Sequence, residues 1–598
     1  MPDHKVIVIG AGHNGLVASN YLARAGLRVQ VLERRGVVGG AAVTEEWFPG
    51  YRLSTCSYIC HILQKKVIDD LELRRYGFRI HSLDPSRTQP FPSGKSITIW
   101  HDDEMTAEEI RSISEHDADA WPEWANLWHR AVRILSDYYH TPPPSLAQLT
   151  ERFRQEGEEE LLETLLTVPL KDLADRYFES DEIRTLVRTG PLDQGDDGAP
   201  GSAYIRALYA FSAYREDTEN YGIVEGGMGG ITQAMARSAE ANGVSIRTGA
   251  QVKRIVTSNG RATGVELEDG ELIEADIVVS NADPKRTFLR MLDSETLAAN
   301  FIDDIRSLKI ESASAKFLCA LRELPDFSGS LGSEYDPKNL AMMSITSADG
   351  PQTSWNDAMN GRVSETPLIQ IQIPTVYDKT VAPDGHHVLS MWVYYLPPHV
   401  KDGGWENARQ QLGEQLIDEV SRYAPNFRDV IVDWTLPTPE DIEDRIGMTD
   451  GNIRHVDMIP QQMMSRRPLP GWTDYRTPLQ GLYLCGAGTH PGGEVSGAPG
   501  HNAAHVILDE LGLSEELRPG SVDLPSSFQV SSPRCMPLVS PTEATSMPKP
   551  VLFLHSGIAI MFVTAIAVNV SWPTPSAKRR PIIETQRCHR MRRPAVCV

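Results

Sequence analysis

The fold is decided by the stretch Val6-Ile7-Val8-Ile9-Gly10-Ala11-Gly12-His13-Asn14-Gly15-Leu16. Four β-branched residues form a short apolar run, and the three glycines after it lead into a helical pattern that continues to Leu22. A diphosphate must approach the backbone N–H groups at the positive end of a helix, and side chains at these glycine positions would block that approach. The stretch therefore predicts a strand, a tight turn and a helix that bind a dinucleotide.

An acid follows the second strand of this unit. The apolar run from Leu27 to Leu32 ends at Glu33, whose carboxylate is expected to accept hydrogen bonds from the ribose hydroxyls of an adenosine. A carboxylate here also argues against a 2′-phosphate. The order of strand, glycines, helix, strand and acid predicts a nucleotide site and leaves FAD and NAD as the candidate cofactors.

Two further glycine-rich segments favour FAD. Residues 36–44, GVVGGAAVT, form a second turn that would bring more backbone N–H groups toward the diphosphate, which NAD sites do not usually need. Residues 481–493, GLYLCGAGTHPGG, are again a strand followed by glycines, and a helical run begins near Asn502. The N-terminus of that helix would stabilise negative charge on a reduced flavin. Two dinucleotide elements this far apart in the chain predict FAD.

These segments resemble the phytoene desaturase (carotenoid desaturase) type of flavoprotein over about residues 4 to 512. The resemblance implies that the glutamate-then-GG segment and the GAGTHPGG segment line FAD, that Val252 lies near the adenine, and that residues 275–282 return to the cofactor. Many relatives have an arginine after the GG pair, whereas this chain has Ala41, so backbone donors or Arg34 are expected to compensate. The candidate FAD-binding residues are Gly10, Ala11, Gly12, Asn14, Gly15, Glu33, Arg34, Gly39, Gly40, Ala41, Val252, Gly486, Gly488 and Gly497.

The βαβ signals fall at both ends of the chain and in its middle, near residues 5–42, 222–282 and 480–512. They predict an α/β protein with a discontinuous Rossmann-like FAD-binding domain, glutathione-reductase-like, and an inserted α+β substrate domain. The expected FAD-binding parts are residues 1–74, 216–285 and 475–513, and the expected substrate-domain parts are residues 75–215 and 286–474. Residues 514–598 are expected to be a disordered tail.

The net charge and the cysteine content limit the kinds of partner and metal that the protein is expected to bind. A net charge of −22 argues against nucleic acid, because a polyanion would be repelled by most of the surface. The seven cysteines are scattered without a CxxC pair, so no metal site is expected.

The first strand begins at Val6 and leaves no room for a targeting peptide, which predicts the cytoplasm, while the resemblance leaves the mitochondrial matrix as an alternative. Residues 551–570 are uncharged and long enough to cross a bilayer, so a membrane anchor is the alternative to a purely disordered tail.

The candidate catalytic groups are few. Cys56 and Cys60 have three residues between them, not the four typical of flavin disulfide reductases, which favours packed thiols over a redox pair. His490 and His501 flank the expected flavin edge and could move protons, but His490 is better explained as a residue that caps or satisfies a backbone group in the turn. His490 is the weak catalytic candidate. The aromatic residues that could line a substrate channel, most of which are expected to be ordinary core or interface residues, are Tyr204, Tyr209, Phe211, Tyr214, Trp392, Tyr394 and Tyr395.

Hydride removal by flavin needs mainly that the substrate C–H bond be held against the ring in a water-poor pocket. The sequence therefore predicts an FAD-dependent oxidoreductase that oxidises or desaturates an apolar, isoprenoid-like small molecule and passes electrons to oxygen or a quinone. Two alternatives stay open: an FAD amine oxidase, and a flavin-binding regulatory protein with little turnover.

Overall fold

The computed structural model describes residues 4–189, 195–210, 218–293, 295–346 and 349–513. The predicted tail and the candidate anchor at residues 551–570 lie outside these residues. The strands are β1 (Lys5–Ile9), β2 (Arg28–Leu32), β3 (Thr44–Phe48), β4 (Tyr51–Ser54), β5 (Ile80–Ser82), β6 (Arg87–Pro90), β7 (Ser96–Ile99), β8 (Gly222–Val224), β9 (Ser245–Arg247), β10 (Val252–Ser258), β11 (Arg261–Leu267), β12 (Leu272–Glu274), β13 (Ile277–Ser280), β14 (Ala313–Leu321), β15 (Met343–Ile345), β16 (Leu368–Gln372), β17 (His387–Leu396), β18 (Ile431–Thr435) and β19 (Leu482–Leu484).

The α-helices alternate with these strands along the chain. They are α1 (His13–Arg24), α2 (Lys65–Asp70), α3 (Asp103–Arg111), α4 (Glu115–Leu135), α5 (Leu146–Gln155), α6 (Glu159–Thr167), α7 (Leu170–Tyr177), α8 (Asp181–Arg188), α9 (Ser202–Ala210), α10 (Gly229–Ala241), α11 (Pro284–Arg290), α12 (Ala299–Ser307), α13 (Ser328–Leu331), α14 (Gly350–Met359), α15 (Gly404–Ser421), α16 (Phe427–Val430), α17 (Pro439–Ile446) and α18 (Ala498–Leu511). Within the described parts of the chain, none of these helices is long and apolar enough to cross a bilayer.

A five-stranded parallel sheet has the order β19-β13-β1-β2-β9. Its strands come from three distant segments, because β1 and β2 are N-terminal, β9 and β13 are central and β19 is C-terminal. Residues 6 to 8 of β1 are fully buried because neighbouring strands flank β1 on both edges and helices pack on the sheet. The carboxyl ends of these parallel strands meet at one edge, where α/β sheets bind ligands.

A second, seven-stranded sheet has the order β18-β14-β17-β16-β15-β6-β7. Strands β6 and β7 come from the earlier inserted segment and the other five from the later one, so the two inserted segments meet in one sheet. One face carries the aliphatic side chains of β14, β16 and β17 and packs with residues of α15 in a single apolar cluster. The alternation of Ile369 and Ile371 with Gln370 and Gln372 leaves the opposite face polar.

Helices α3 to α9 form a layer whose core includes Ile97 of β7 and Phe91, which follows β6. This core also includes the fully buried rings of Trp124 and Trp128, which pack edge to face with centroids 5.2 Å apart. In α6, Leu162 and Leu165 are buried in this core, as their spacing in the sequence predicts.

Candidate active site

The first glycine turn connects β1 to α1. Gly10 has a φ of +93°, and its N–H donates to the carbonyl of Leu32 at 2.8 Å. A Cβ at Gly15 would lie 2.2 Å from the carbonyl oxygen of Gly10, so only glycine permits this approach of helix to strand. Gly12 is the N-cap of α1 and has no side chain that could occupy the N–H groups of the first turn. Those groups therefore remain available to an anion.

Glu33 lies at the end of β2 and is 5% exposed. One carboxylate oxygen accepts a hydrogen bond from the N–H of Ala11 at 2.8 Å, and the other accepts from the N–H of Arg35 at 2.9 Å. These bonds fix the carboxylate beside the glycine turn and tie the turn to β2.

The second glycine turn packs directly on the first. The N–H of Gly39 donates to the carbonyl of Ala11 at 2.9 Å, and a Cβ at Gly40 would lie 3.1 Å from the Cα of Gly12. The two turns, separate in the sequence, therefore form one continuous stretch of backbone.

The C-terminal glycine segment completes this arrangement. Gly497 is the N-cap of α18 and has a φ of +78°, and a Cβ at Gly500 would lie 2.2 Å from the carbonyl oxygen of Asn14. A Cβ at Gly486 would lie 2.9 Å from the carbonyl oxygen of Asn281, and one at Gly488 would lie 2.5 Å from Pro284. These glycines allow α18 and the turn after β19 to pack closely on α1 and β13.

A cavity of about 300 Å³ runs along the three segments. The predicted residues that line it are Gly10, Gly12, Asn14, Glu33, Arg34, Gly40, Ala41 and Val252. The predicted residues that lie behind this lining and shape it are Ala11, Gly15, Gly39, Gly486, Gly488 and Gly497. Ala487 and Val495 line the cavity in place of their glycine neighbours.

The cavity fits FAD on two observations. Several lining side chains have a buried polar atom without a hydrogen-bond partner in the described structure, among them Nε2 of His13, Oδ1 of Asn14 and Nδ1 of His455. Buried polar atoms of this kind are normally satisfied, so a polar ligand is expected to complete them. The glycine turns also offer backbone donors next to these side chains, which suits a diphosphate.

Arginines from two parts of the chain line the same cavity as Ala41. Arg34 follows β2, and Arg286 and Arg290 lie on α11. Burial lowers the pKa values of Arg34 and Arg286, and the two charges face each other with Glu443 close to Arg286. The expectation that Arg34 compensates for the missing arginine at position 41 therefore gains a second candidate, Arg286, which the sequence did not single out.

The histidines that flank the expected flavin edge are buried but do not line the cavity. Nε2 of His490 lies 2.8 Å from the carbonyl oxygen of Tyr138, and burial lowers the pKa of His490 to about 4. His501 packs against Tyr21 and His505, and burial lowers its pKa to about 2. Both histidines are therefore neutral at neutral pH, and their contacts are those of structural residues.

Cys56 and Cys60 are buried residues in an irregular stretch between β4 and α2, not in a helix. Burial raises the pKa of Cys56 to about 12, so its thiol is protonated at neutral pH. A buried, protonated thiol agrees with the prediction that these cysteines are packed side chains and not a redox pair.

A buried lysine is the main group that the motifs did not reveal. Lys316 lies in the middle of β14 and is fully buried, with Nζ 4.6 Å from the ring centroid of Tyr58 and 5.5 Å from that of Trp392. Both aromatic residues line the cavity. Burial lowers the pKa of Lys316 to about 7. The signal in the sequence is one charged residue inside the otherwise uncharged strand ASAKFLCAL.

A buried group of charges forms another part of the lining. Oε1 of Glu494 lies 2.8 Å from a guanidinium nitrogen of Arg454, and its other oxygen contacts the ring of His61. Burial opposes ionisation, but the charges of Arg454 and His61 hold the pKa of Glu494 at about 2. Glu494 has a φ of +70°, a conformation that is strained for any residue with a Cβ.

Comparison with known proteins agrees with this cavity. The model of the flavin-containing amine oxidoreductases matches residues 15–508. The chain belongs to that family. It is therefore an FAD-dependent oxidoreductase, and the prediction of FAD is confirmed.

Members of the family that resemble the chain include three curated proteins. Pyridine nucleotide-disulfide oxidoreductase domain-containing protein 2 of Rattus norvegicus is 34% identical, over 85% of this chain and 94% of that protein. A limonene dehydrogenase polypeptide of Castellaniella defragrans is 30% identical, over 85% and 95%. The neurosporene-forming phytoene desaturase of Cereibacter sphaeroides is 24% identical, over 83% and 92%. The resemblance to phytoene desaturases is thus confirmed.

Among solved structures of the same fold, a putrescine oxidase with bound putrescine superposes with a TM-score of 0.56. It is 15% identical, and the match covers 85% of this chain and 99% of that one. This likeness supports the mixed α/β fold.

Proposed function

We propose that the protein is an FAD-dependent dehydrogenase that removes a hydride and a proton from neighbouring carbons of an isoprenoid-like substrate. The observation that carries this proposal is Lys316, a buried amine between two aromatic rings that line the cofactor cavity. A neutral amine with a pKa near 7 is a suitable proton acceptor at neutral pH.

The residues around Lys316 hold it in place. Nζ donates to Oε1 of Gln372 at 3.2 Å, and the rings of Tyr58 and Trp392 exclude water from it. In the proposed reaction Nζ takes the proton, while bound FAD supplies the hydride acceptor. The substrate lies between the cavity and the polar face of the seven-stranded sheet, and its electrons pass onward to oxygen or a quinone.

Two relatives support a substrate of this type through their names, the limonene dehydrogenase and the phytoene desaturase. Both names refer to apolar isoprenoids. We propose accordingly that the protein binds a small apolar molecule and not nucleic acid. We also propose a glutathione-reductase-like cofactor domain with the boundaries given above. We retain the cytoplasm as the proposed compartment, with the mitochondrial matrix and membrane association as alternatives.

Oxidation of an amine is the second candidate function. The paired rings of Tyr58 and Trp392 favour it, because aromatic faces attract a cationic amine. The Nζ of Lys316 already occupies the space near these rings, however, and in its charged form would repel an ammonium group. A regulatory protein with little turnover is the remaining alternative.

Anaerobic bleaching of the flavin separates these functions. The purified protein is mixed with polyenes, fatty amines and NAD(P)H in turn, and absorbance near 450 nm is followed. We expect bleaching by an isoprenoid donor. Rapid bleaching by NAD(P)H would indicate a reductase, bleaching by amines alone would indicate an amine oxidase, and a yellow protein that no donor reduces would favour the regulatory role.

A further inference from the structure

A row of side chains crosses the polar face of the seven-stranded sheet. Lys316 on β14 pairs with Trp392 on β17, Trp392 pairs with Gln370 on β16, and Gln370 pairs with Ser344 on β15. Residues paired across neighbouring strands point to the same face, so these four side chains form one line. Trp392 also lines the cofactor cavity, which places the row beside it.

The row continues onto β6. Met343 of β15 pairs with Thr88, so alternation puts Arg87 and Gln89 on the side of Ser344. Oγ of Ser344 and Nε2 of Gln89 have no hydrogen-bond partner in the described structure, although these residues are only 2% and 0% exposed. A buried polar atom without a partner costs about 1–3 kcal/mol, so such atoms point to a ligand that completes them.

The amide oxygens along this face are already occupied. Oε1 of Gln370 accepts hydrogen bonds from the hydroxyls of Tyr58 and Tyr394. Oε1 of Gln372 accepts from Nζ of Lys316. The amide oxygens that could accept a hydrogen bond from a substrate N–H group are therefore engaged by the protein itself.

The same holds at the β6 end, where Oε1 of Gln89 accepts from the hydroxyl of Thr189 at 3.2 Å. Strands β6, β14, β15, β16 and β17 contain no aspartate or glutamate. The groups left for a ligand are the amide N–H₂ of Gln89 and the hydroxyl of Ser344. The positive charge of Arg87 lies on the same face, and its guanidinium donates to the carbonyls of Leu186 and Thr189. A face with an unpaired amide donor, a hydroxyl that can donate and a positive charge, and without a carboxylate on its strands, is complementary to an oxygen anion.

We propose that this face binds the carboxylate end of an otherwise apolar substrate. The inference rests on the dehydrogenase function and names its substrate class. A hydrocarbon would leave Ser344 and Gln89 unsatisfied, and an ammonium group would meet the amide N–H₂ of Gln89 and the positive charge of Arg87. The carboxylate end completes these groups while the apolar body reaches the cofactor cavity.

The test uses three probes with one carbon skeleton: citronellic acid, citronellylamine and 2,6-dimethyl-2-octene. Each is titrated into the FAD-loaded full-length protein, and binding is read from the perturbed flavin spectrum and from the thermal shift. We expect the acid to bind at least about 10-fold more tightly than the amine or the hydrocarbon, a difference typical of one charge-assisted contact.

Two variants test whether the preference for the acid arises at Gln89 and Ser344. Gln89→Leu and Ser344→Ala should each lower the preference for the acid to about 3-fold or less and leave hydrocarbon binding unchanged. The matched control is Gln410→Leu, on the outer part of α15, which should keep the full preference. Ser344→Ala should also raise the melting temperature of the ligand-free protein, because it removes an unsatisfied hydroxyl.

Three results would overturn the inference: equal or tighter binding of the amine or hydrocarbon, a preference that survives both variants, or no binding of the acid by either readout. Binding does not depend on turnover, so the two proposals can fail separately. Tight binding of the acid to a flavin that no donor reduces would contradict the dehydrogenase, whereas reduction by the hydrocarbon without a preference for the acid would contradict only the substrate class.

Discussion

The cofactor side of the cavity is made largely of backbone, whereas the substrate side is made of side chains. Around Gly12 and Gly40, main-chain groups approach closely because no Cβ intervenes. Around Lys316, recognition depends on which side chains from five strands happen to share a face. A backbone site tolerates little change but discriminates poorly among dinucleotides, while a side-chain site can change its specificity without changing the fold.

The largest expected effect tests the backbone side. In Gly15→Ala the new methyl group would lie 2.2 Å from the main-chain oxygen of Gly10, which cannot move without distorting β1. We expect bound FAD to fall below about a tenth of the protein concentration, because close helix–strand approach is what the motif requires. The measurement is the ratio of flavin to protein absorbance.

The matched control is Gly36→Ala, since nothing lies within 4 Å of a Cβ at Gly36. This variant should retain FAD fully. If Gly15→Ala retained as much FAD as Gly36→Ala, the turn would not be the dinucleotide site.

On the side-chain side, Lys316→Met should leave FAD bound and slow flavin reduction by about 10²–10⁴-fold, the usual contribution of a general base. The physical reason is that methionine fills the space but takes no proton. Stopped-flow reduction by any donor that reduces the wild-type protein measures it. Lys338→Met, which changes an exposed lysine near the ring of Tyr377, is the control and should reduce at the wild-type rate. A normal rate in Lys316→Met would remove this lysine from the mechanism.

The pH dependence should show the same group. Burial lowers the pKa of Lys316 to about 7, so the amine is charged below that pH and neutral above it. The rate of flavin reduction should therefore fall about 10-fold per pH unit below 7 and level off above it. The unfolded lysine stays protonated to a higher pH, so the free energy of unfolding should rise between about pH 7 and 10. Both effects should vanish in Lys316→Met, and their persistence there would assign them to another group.

The smallest effect concerns Glu33. Glu33→Gln keeps the shape of the side chain but weakens the hydrogen bonds from the N–H groups of Ala11 and Arg35. Loss of charge assistance should raise the dissociation constant for FAD about 3- to 10-fold. Fluorescence titration of the apoprotein measures this, with the exposed Glu274→Gln on β12 as control. An unchanged dissociation constant would mean that the charge of Glu33 does not contribute to FAD binding and that its side chain only stabilises the glycine turn.

Much of the cofactor half could be predicted from the sequence. Glycines at positions 10, 12 and 15 and the acid at position 33 act within about 30 residues, so local order is enough to recognise them. The glycines at positions 486, 488 and 497 were also recognisable, but their task is to let α18 and β19 pack on α1 and β13, not to line the cavity. The order of residues in the sequence shows that a glycine is needed at a position, and the tertiary packing shows which contact requires it.

The amino-acid sequence by itself determined the cofactor and its family, because the steric demand of a diphosphate on backbone leaves a local pattern. Only the tertiary structure decided which groups face the substrate. Lys316, Gln370 and Ser344 lie on separate strands, and their convergence depends on strand pairing and register. A shift of one residue in register would turn each of these side chains to the opposite face, so no local pattern could specify the site.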